Sequence, residues 1–339
     1  MSNYPRLFGL TVAFLAATII GSARAVTIAT VPVGYAGNFP DLTGFGAVPY
    51  NYRIGTYDVT NSQYAEFLNA KASVGDPYGL WNSNMDPNGP QGAISRSASA
   101  PYSYSVKLGY ENKPVNYVTL YNAIRFVNWL TNGQGNGDTE SGTYSITNGG
   151  TVSQSIEVPF YTQRAAWAAT NSFHWLLPSD NEWYKAAYYN GADATYYAYP
   201  FQSNSQPLTL APPGNSNSGN FQYVGYDGKA SYLTDVGAYS SSLSPFGSFD
   251  MGGDVWQWND TNDIGGNVRG GGFINLSSFS AASTNNAFAP DLENLAVGFR
   301  VASVGSVPEP NTGLLAVFAC GVLWFARRRV QSNDAAFSR

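Results

Sequence analysis

The sequence of 339 residues contains one cysteine, Cys320, and it falls within an apolar stretch, residues 312–326, near the C-terminus. The rest of the chain therefore has no disulfide to staple a fold, no thiolate metal site and no cysteine nucleophile. His174 is the sole histidine, which also argues against histidine-based zinc sites and Ser-His-Asp hydrolysis. Lying between Phe173 and Trp175, it reads as a packed or hydrogen-bonded structural residue.

The two ends carry a different kind of signal. Arg6, an apolar run over residues 7–20 and then Ala23-Arg24-Ala25 follow the charge, core and small-residue order of a secretory signal peptide. This places the start of the mature chain near Val26, the alternative being a buried N-terminal helix. At the other end Pro308-Glu309-Pro310 precedes the apolar run and the cluster Arg327-Arg328-Arg329. This arrangement resembles the PEP-CTERM sorting signal of Gram-negative bacteria. The resemblance implies a membrane-embedded exosortase partner that recognises Pro308, Glu309 and Pro310. It also implies a transmembrane helix at 312–326 holding the precursor in the inner membrane, and a final location at the cell surface or in the extracellular matrix. Basic residues on the cytoplasmic side agree with the positive-inside rule. The apolar run is shorter than the about 20 residues that span a bilayer, and residues 330–339 extend beyond the arginines as a cytoplasmic tail. The expected organisation is a signal peptide at 1–25, one domain at 26–304 and the sorting signal at 305–329.

Between these ends roughly 280 residues suffice for one large domain with long loops or two small ones. The formal net charge of −5 argues against nucleic acid as a partner, because a basic face is needed to neutralise phosphates. A strand is expected within residues 51–60. A helix follows from Thr60 to Ala70, with Tyr64, Phe67 and Leu68 on one face and Thr60 or Asn61 as its cap. A second helix, from about Thr119 to Asn132, carries the stripe Ala123, Phe126, Val127 and Leu130 and stops at Gly133. Ser179 and Glu182 form a capping-box pattern that opens a third helix, with Gly191 as its end. The Gly-, Ser- and Asn-rich stretches 133–150 and 202–219 read as surface loops or hairpins. Short aromatic strands with few helices indicate an α+β fold.

Four segments in order, "IGTYDVTNSQYAEFLNA", "LPSDNEWYKAAYY", "SPFGSFDMGGDVWQWND" and "VRGGGFIN" followed by "GFRVAS", resemble the formylglycine-generating enzyme domain, also called the sulfatase-modifying factor domain. The resemblance covers most of residues 27–303 and implies a variant of the C-type lectin-like fold. Active members oxidise a substrate cysteine to formylglycine with copper(I) held by two cysteines. Those two positions correspond to Asn275 and Ser280. Soft copper(I) requires thiolates, so the resemblance implies that copper is absent and that the known reaction is lost. Ala281, Asn285 and Ala287 stand where active members tend to carry arginines, as does Leu176.

The resemblance also implies calcium at "DMGGDVWQW", through Asp250, Gly253, Val255 and Gln257. A second calcium site would begin at Asn220 and Phe221 with Asp227. Calcium accepts six to eight hard oxygen ligands in irregular geometry; the alternative is a glycine-rich turn packed by Trp256 and Trp258 with no ion. The aromatic residues are expected mostly in the core, with Tyr188, Tyr189, Tyr196, Tyr197 and Tyr199 as the group facing a ligand.

Three functions follow. The first is a non-catalytic, calcium-stabilised binding module for extracellular protein or polysaccharide. The second is an enzyme of altered chemistry, using a pocket bounded by Arg269, Asn275, Ser280 and Arg300 with Asp291 or Glu293. The third is a purely structural matrix protein.

Overall fold

The computed structural model describes residues 25–147, 155–157, 159–223, 232–260 and 266–306. The apolar stretches at both ends, the Pro308-Glu309-Pro310 motif and Asp227 lie outside the described residues. Among the described residues no helix is long and apolar enough to cross a membrane.

Two four-stranded sheets organise the chain. The first contains β1 (Thr30–Val33), β2 (Tyr52–Gly55), β3 (His174–Leu176) and β8 (Ala302–Val304) in the antiparallel order β1-β2-β8-β3. The second contains β4 (Trp256–Asn259), β5 (Gly266–Arg269), β6 (Asn286–Phe288) and β7 (Val297–Phe299) in the order β6-β5-β4-β7, with the β4/β7 pair parallel. β7 and β8 are consecutive yet belong to different sheets, so Arg300 and Val301 carry the chain across. The Val301 carbonyl is anchored there by the Gly55 amide at 2.7 Å. Short strands and a minority of helix give a mixed α+β architecture.

The helices follow their caps. α1 (Asn61–Lys71) starts at Thr60, whose hydroxyl accepts from the Gln63 amide while the Gln63 side chain accepts from the Thr60 amide. This reciprocal cap satisfies two otherwise unpaired donors. α2 (Leu120–Thr131) is capped by Thr119 and turns at Gly133, whose φ of 82° is a left-handed value suited to glycine. α3 (Tyr161–Thr170) has no side-chain cap and one buried residue, Arg164. Without a cap residue or an apolar stripe it leaves little trace in the sequence.

α4 (Asp180–Tyr188) has the expected Ser179/Glu182 box, but it ends before Gly191. Tyr189 leaves the helix in extended conformation and pairs with Tyr196. Gly191 instead lies under Tyr35, where a Cβ would come within 2.2 Å of that ring.

Alternation along β4 separates two cores. Trp256 and Trp258 enter a cluster with Tyr64 and Phe67 of α1, Phe126 of α2 and Phe299 of β7. The rings of Phe126 and Phe299 meet edge to face at 5.4 Å, a favoured aromatic geometry. Gln257 and Asn259 point the other way, toward a second cluster built from Tyr52, Ile54, Trp183, Tyr184, Ala302 and Val304. Burying one large aromatic side chain contributes about 1.5–3 kcal/mol, so these two clusters stand in for the missing disulfides. His174 takes the structural role: its ring stacks on Trp167 at 3.9 Å and meets the Ser172 hydroxyl at 3.1 Å.

Candidate functional site

Gln257 is the hub of the predicted site. Its amide oxygen accepts from Trp183 Nε1 and from Arg300 Nε, each at 2.6 Å, and its amide nitrogen donates to the Asp250 carbonyl at 2.6 Å. Both lone pairs of the oxygen are used. In this arrangement Gln257 is a cross-link between α4, β4 and the turn at Asp250.

The four residues expected to bound a pocket are largely absorbed into the frame. Arg300 is fully buried, donating to the carbonyls of Gly55 and Phe249 and to Asp58 Oδ1. Arg269 lies buried against Asp180 in a two-pronged ion pair and also donates to the Thr284 carbonyl. Asn275 Oδ1 accepts from Trp256 Nε1 at 2.8 Å and from the Gly272 amide at 3.0 Å. Ser280 is buried and donates to the Ser277 carbonyl at 2.7 Å. Tyr188 donates to the Ser280 carbonyl at 3.0 Å, so Tyr188 and its buried neighbour Tyr189 are core residues, not ligand contacts. Tyr196, Tyr197 and Tyr199 are half-buried. Tyr196 closes onto the preceding loop by donating to the Phe39 carbonyl.

The glycine-rich turn holds two buried carboxylates. Asp250 accepts from the Gly237 amide, and Asp254 accepts from Asn220 Nδ2, the Thr234 amide and the Thr234 hydroxyl. Burial, and then the charge of Asp254, push Asp250 up to about 7. Burial raises Asp254 to about 6 against the lowering effect of those hydrogen bonds. Asp58, buried beside them, is raised by desolvation despite Arg300.

A hard cation would relieve this crowding, and one acceptor fits it. Asn220 Oδ1 is buried with no hydrogen-bond partner among the described residues, a state that costs free energy unless something fills it. Among the described residues no cluster of three or more His, Cys, Asp or Glu could hold a metal, so amide and carbonyl oxygens would supply most ligands. Asn220 Oδ1 is therefore an acceptor that a cation could use. Asp250, Gly253 and Val255 remain in the turn next to it. Gly253 has φ 83°, and a Cβ there would lie 2.6 Å from the Asn220 carbonyl oxygen.

A second charged cluster escaped the sequence reading. Arg164 of α3 donates to Glu182 and Asp260 and to the carbonyls of Pro159 and Leu177. Tyr50 donates to Glu182 at 2.8 Å, and Tyr144 donates to Asp260. Burial raises Asp260 to about 6 even though Arg164 lowers it. Glu182 was legible as a helix cap, and the structure gives it this further role. Nothing in the sequence marks Arg164, because α3 has neither a side-chain cap nor an apolar stripe.

No curated protein sequence matches the chain. Similar solved structures include CarF, with 17% identity, coverage of 83% of this chain and 99% of that one, and a TM-score of 0.49. Treponema denticola variable protein 1 matches at 16% identity, 83% and 96% coverage and a TM-score of 0.45. PvdO from Pseudomonas aeruginosa matches at 15% identity, 82% and 94% coverage and a TM-score of 0.42. The sequence matches the family described as the sulfatase-modifying factor enzyme 1-like domain over residues 47–304, which is most of its length, and the chain therefore belongs to that family.

Proposed function

We propose that this protein is a non-catalytic member of its family: an exported, calcium-stabilised binding module for extracellular protein or polysaccharide, sorted by an exosortase through Pro308, Glu309 and Pro310. The observation that carries the reading is the replacement of both copper-binding cysteine positions by Asn275 and Ser280 in a chain whose sole cysteine is Cys320. Their polar atoms support the frame instead, Asn275 by holding Trp256 and Ser280 by closing its own turn. Copper(I) has no thiolate to bind in the domain.

The alternative of an enzyme with altered chemistry draws less support. Arg269 and Arg300 are tied to Asp180 and Asp58, so neither offers an open fork to an anionic substrate. Calcium is supported by the orphaned Asn220 oxygen and by the charge of Asp250 and Asp254. Metal content tests the proposal: the purified protein is dialysed against trace calcium and copper and analysed by mass spectrometry. Bound calcium without copper is expected. Stoichiometric copper would overturn the reading.

A further inference from the structure

A cavity of about 690 Å³ opens between the 37–50 loop, the start of α3 and the start of α4, with Asp260 and Arg164 among its lining. Small-molecule sites typically occupy about 300–1,000 Å³, so this one has room for a ligand. It is separate from Asn275, Ser280 and Arg300, none of which lines it.

The polar groups of the lining are incompletely used. Asp260 is only 2% exposed; its Oδ2 accepts from Tyr144 and Arg164, while its Oδ1 has no partner among the described residues. Arg164 engages four of its five N–H donors. Asn181 accepts through Oδ1 from the Gly46 amide at 2.8 Å, which leaves its amide N–H groups without a partner among the described residues. The Asn267 side chain has no hydrogen bond among the described residues. Its register partner Asn259, which does not itself line the cavity, is fully buried with neither amide atom bonded. Free acceptor and donor groups thus converge beside three rings, Phe45, Tyr50 and Tyr161, of which Tyr161 is 65% exposed at the rim.

Charge narrows the ligand class. Arg164 is flanked by Glu182 and Asp260, and Arg269 is held by Asp180, so three carboxylates surround two guanidinium groups. An anion would meet net repulsion. A molecule whose hydroxyls each donate and accept satisfies the mixed set, and its C–H faces fit against aromatic rings.

We infer that this cavity binds an uncharged sugar residue, the site by which the proposed binding module engages polysaccharide. The inference rests on that reading but fails separately from it, because a binding module for protein needs no sugar site.

The test uses the full chain, purified in a detergent without a sugar headgroup. It is titrated with cellobiose, N,N′-diacetylchitobiose and digalacturonate and followed by saturation-transfer NMR. Saturable binding of at least one neutral disaccharide is expected, with none for digalacturonate. Tyr161→Ala and Asn267→Ala, neither of them a core residue, should each weaken binding roughly two- to tenfold while circular dichroism is unchanged. Absence of neutral-sugar binding, preference for digalacturonate, or binding unaffected by both variants would overturn the inference. A metal analysis that finds no copper would meanwhile leave the non-catalytic reading standing.

Discussion

Replacing Arg164 by methionine isolates a buried network of one guanidinium and two carboxylates. The guanidinium is 1% exposed, between Glu182 at 0% and Asp260 at 2%. Its removal takes the charged donor from both carboxylates and one donor from each of the carbonyls of Pro159 and Leu177. Removing one partner of a buried ion pair costs about 3–5 kcal/mol, since an uncompensated charge stays in a low-dielectric interior. That is a large share of the about 5–15 kcal/mol that stabilises a typical domain, and it corresponds to a fall of about 10 °C in melting temperature.

The penalty should also depend on pH. Asp260 already has a folded-state value of about 6, above its ordinary 3.8, so the folded state holds that proton more tightly than the unfolded state does. Stability from this group therefore falls as pH rises from about 4 to 6. Without Arg164 the folded-state value climbs further, and the fall continues to higher pH. Urea unfolding of wild type and Arg164→Met at pH 5 and pH 8 measures both effects. The gap between them should be wider at pH 8. A loss below about 1 kcal/mol, as for an exposed ion pair, or a gap independent of pH would refute the assignment of Arg164 as the buried counter-ion.

Other perturbations test other joints of the structure. Gly253→Ala forces a left-handed backbone on a residue with a Cβ and drives that atom against the Asn220 carbonyl. It should cost at least about 1–2 kcal/mol in thermal unfolding, whereas Gly34→Ala, with open space around it, should be close to neutral. Millimolar calcium should raise the melting temperature of the wild type, and Asn220→Ala should abolish most of that increment; an equal calcium shift in the variant would remove Asn220 from the site. Lys185 is held down to about 8 by burial, so the folded state binds fewer protons than the unfolded state between about pH 8 and 10. Stability relative to Lys185→Met should therefore rise across that interval in urea titrations; a flat difference would contradict the shift.

What could be read from the sequence was what is encoded locally. The Thr60 cap, the Ser179/Glu182 box and the stripe along α2 rest on residues close in sequence, and the structure has those helices at those places. α3 lacks both signals: Phe160 provides no cap and only Arg164 is buried. The end of α4 was misplaced because Gly191 looks like a helix terminator, when its lack of a Cβ instead makes room for Tyr35.

The candidate site divides in the same way. The positions of Asn275 and Ser280 follow from alignment of a motif, but the saturation of Gln257 depends on Trp183 and Arg300, which are 74 and 43 residues distant in the chain. The charge network beside the cavity is more remote still, since Arg164, Glu182 and Asp260 meet only once α3 and α4 pack beside β4. Side-chain partners at such separations follow no periodicity. A carboxylate in the sequence does not announce whether it will cap a helix, pair with arginine or ligate a cation.

The central claim is that the family frame persists here without the oxidase reaction. The most direct test incubates the purified chain with copper(I), oxygen and a cysteine-containing sulfatase peptide, then examines the peptide by mass spectrometry beside an active family member. The account predicts an unmodified cysteine under conditions in which the active enzyme converts it. Formylglycine in the peptide would contradict it and would require a copper site without the two cysteines.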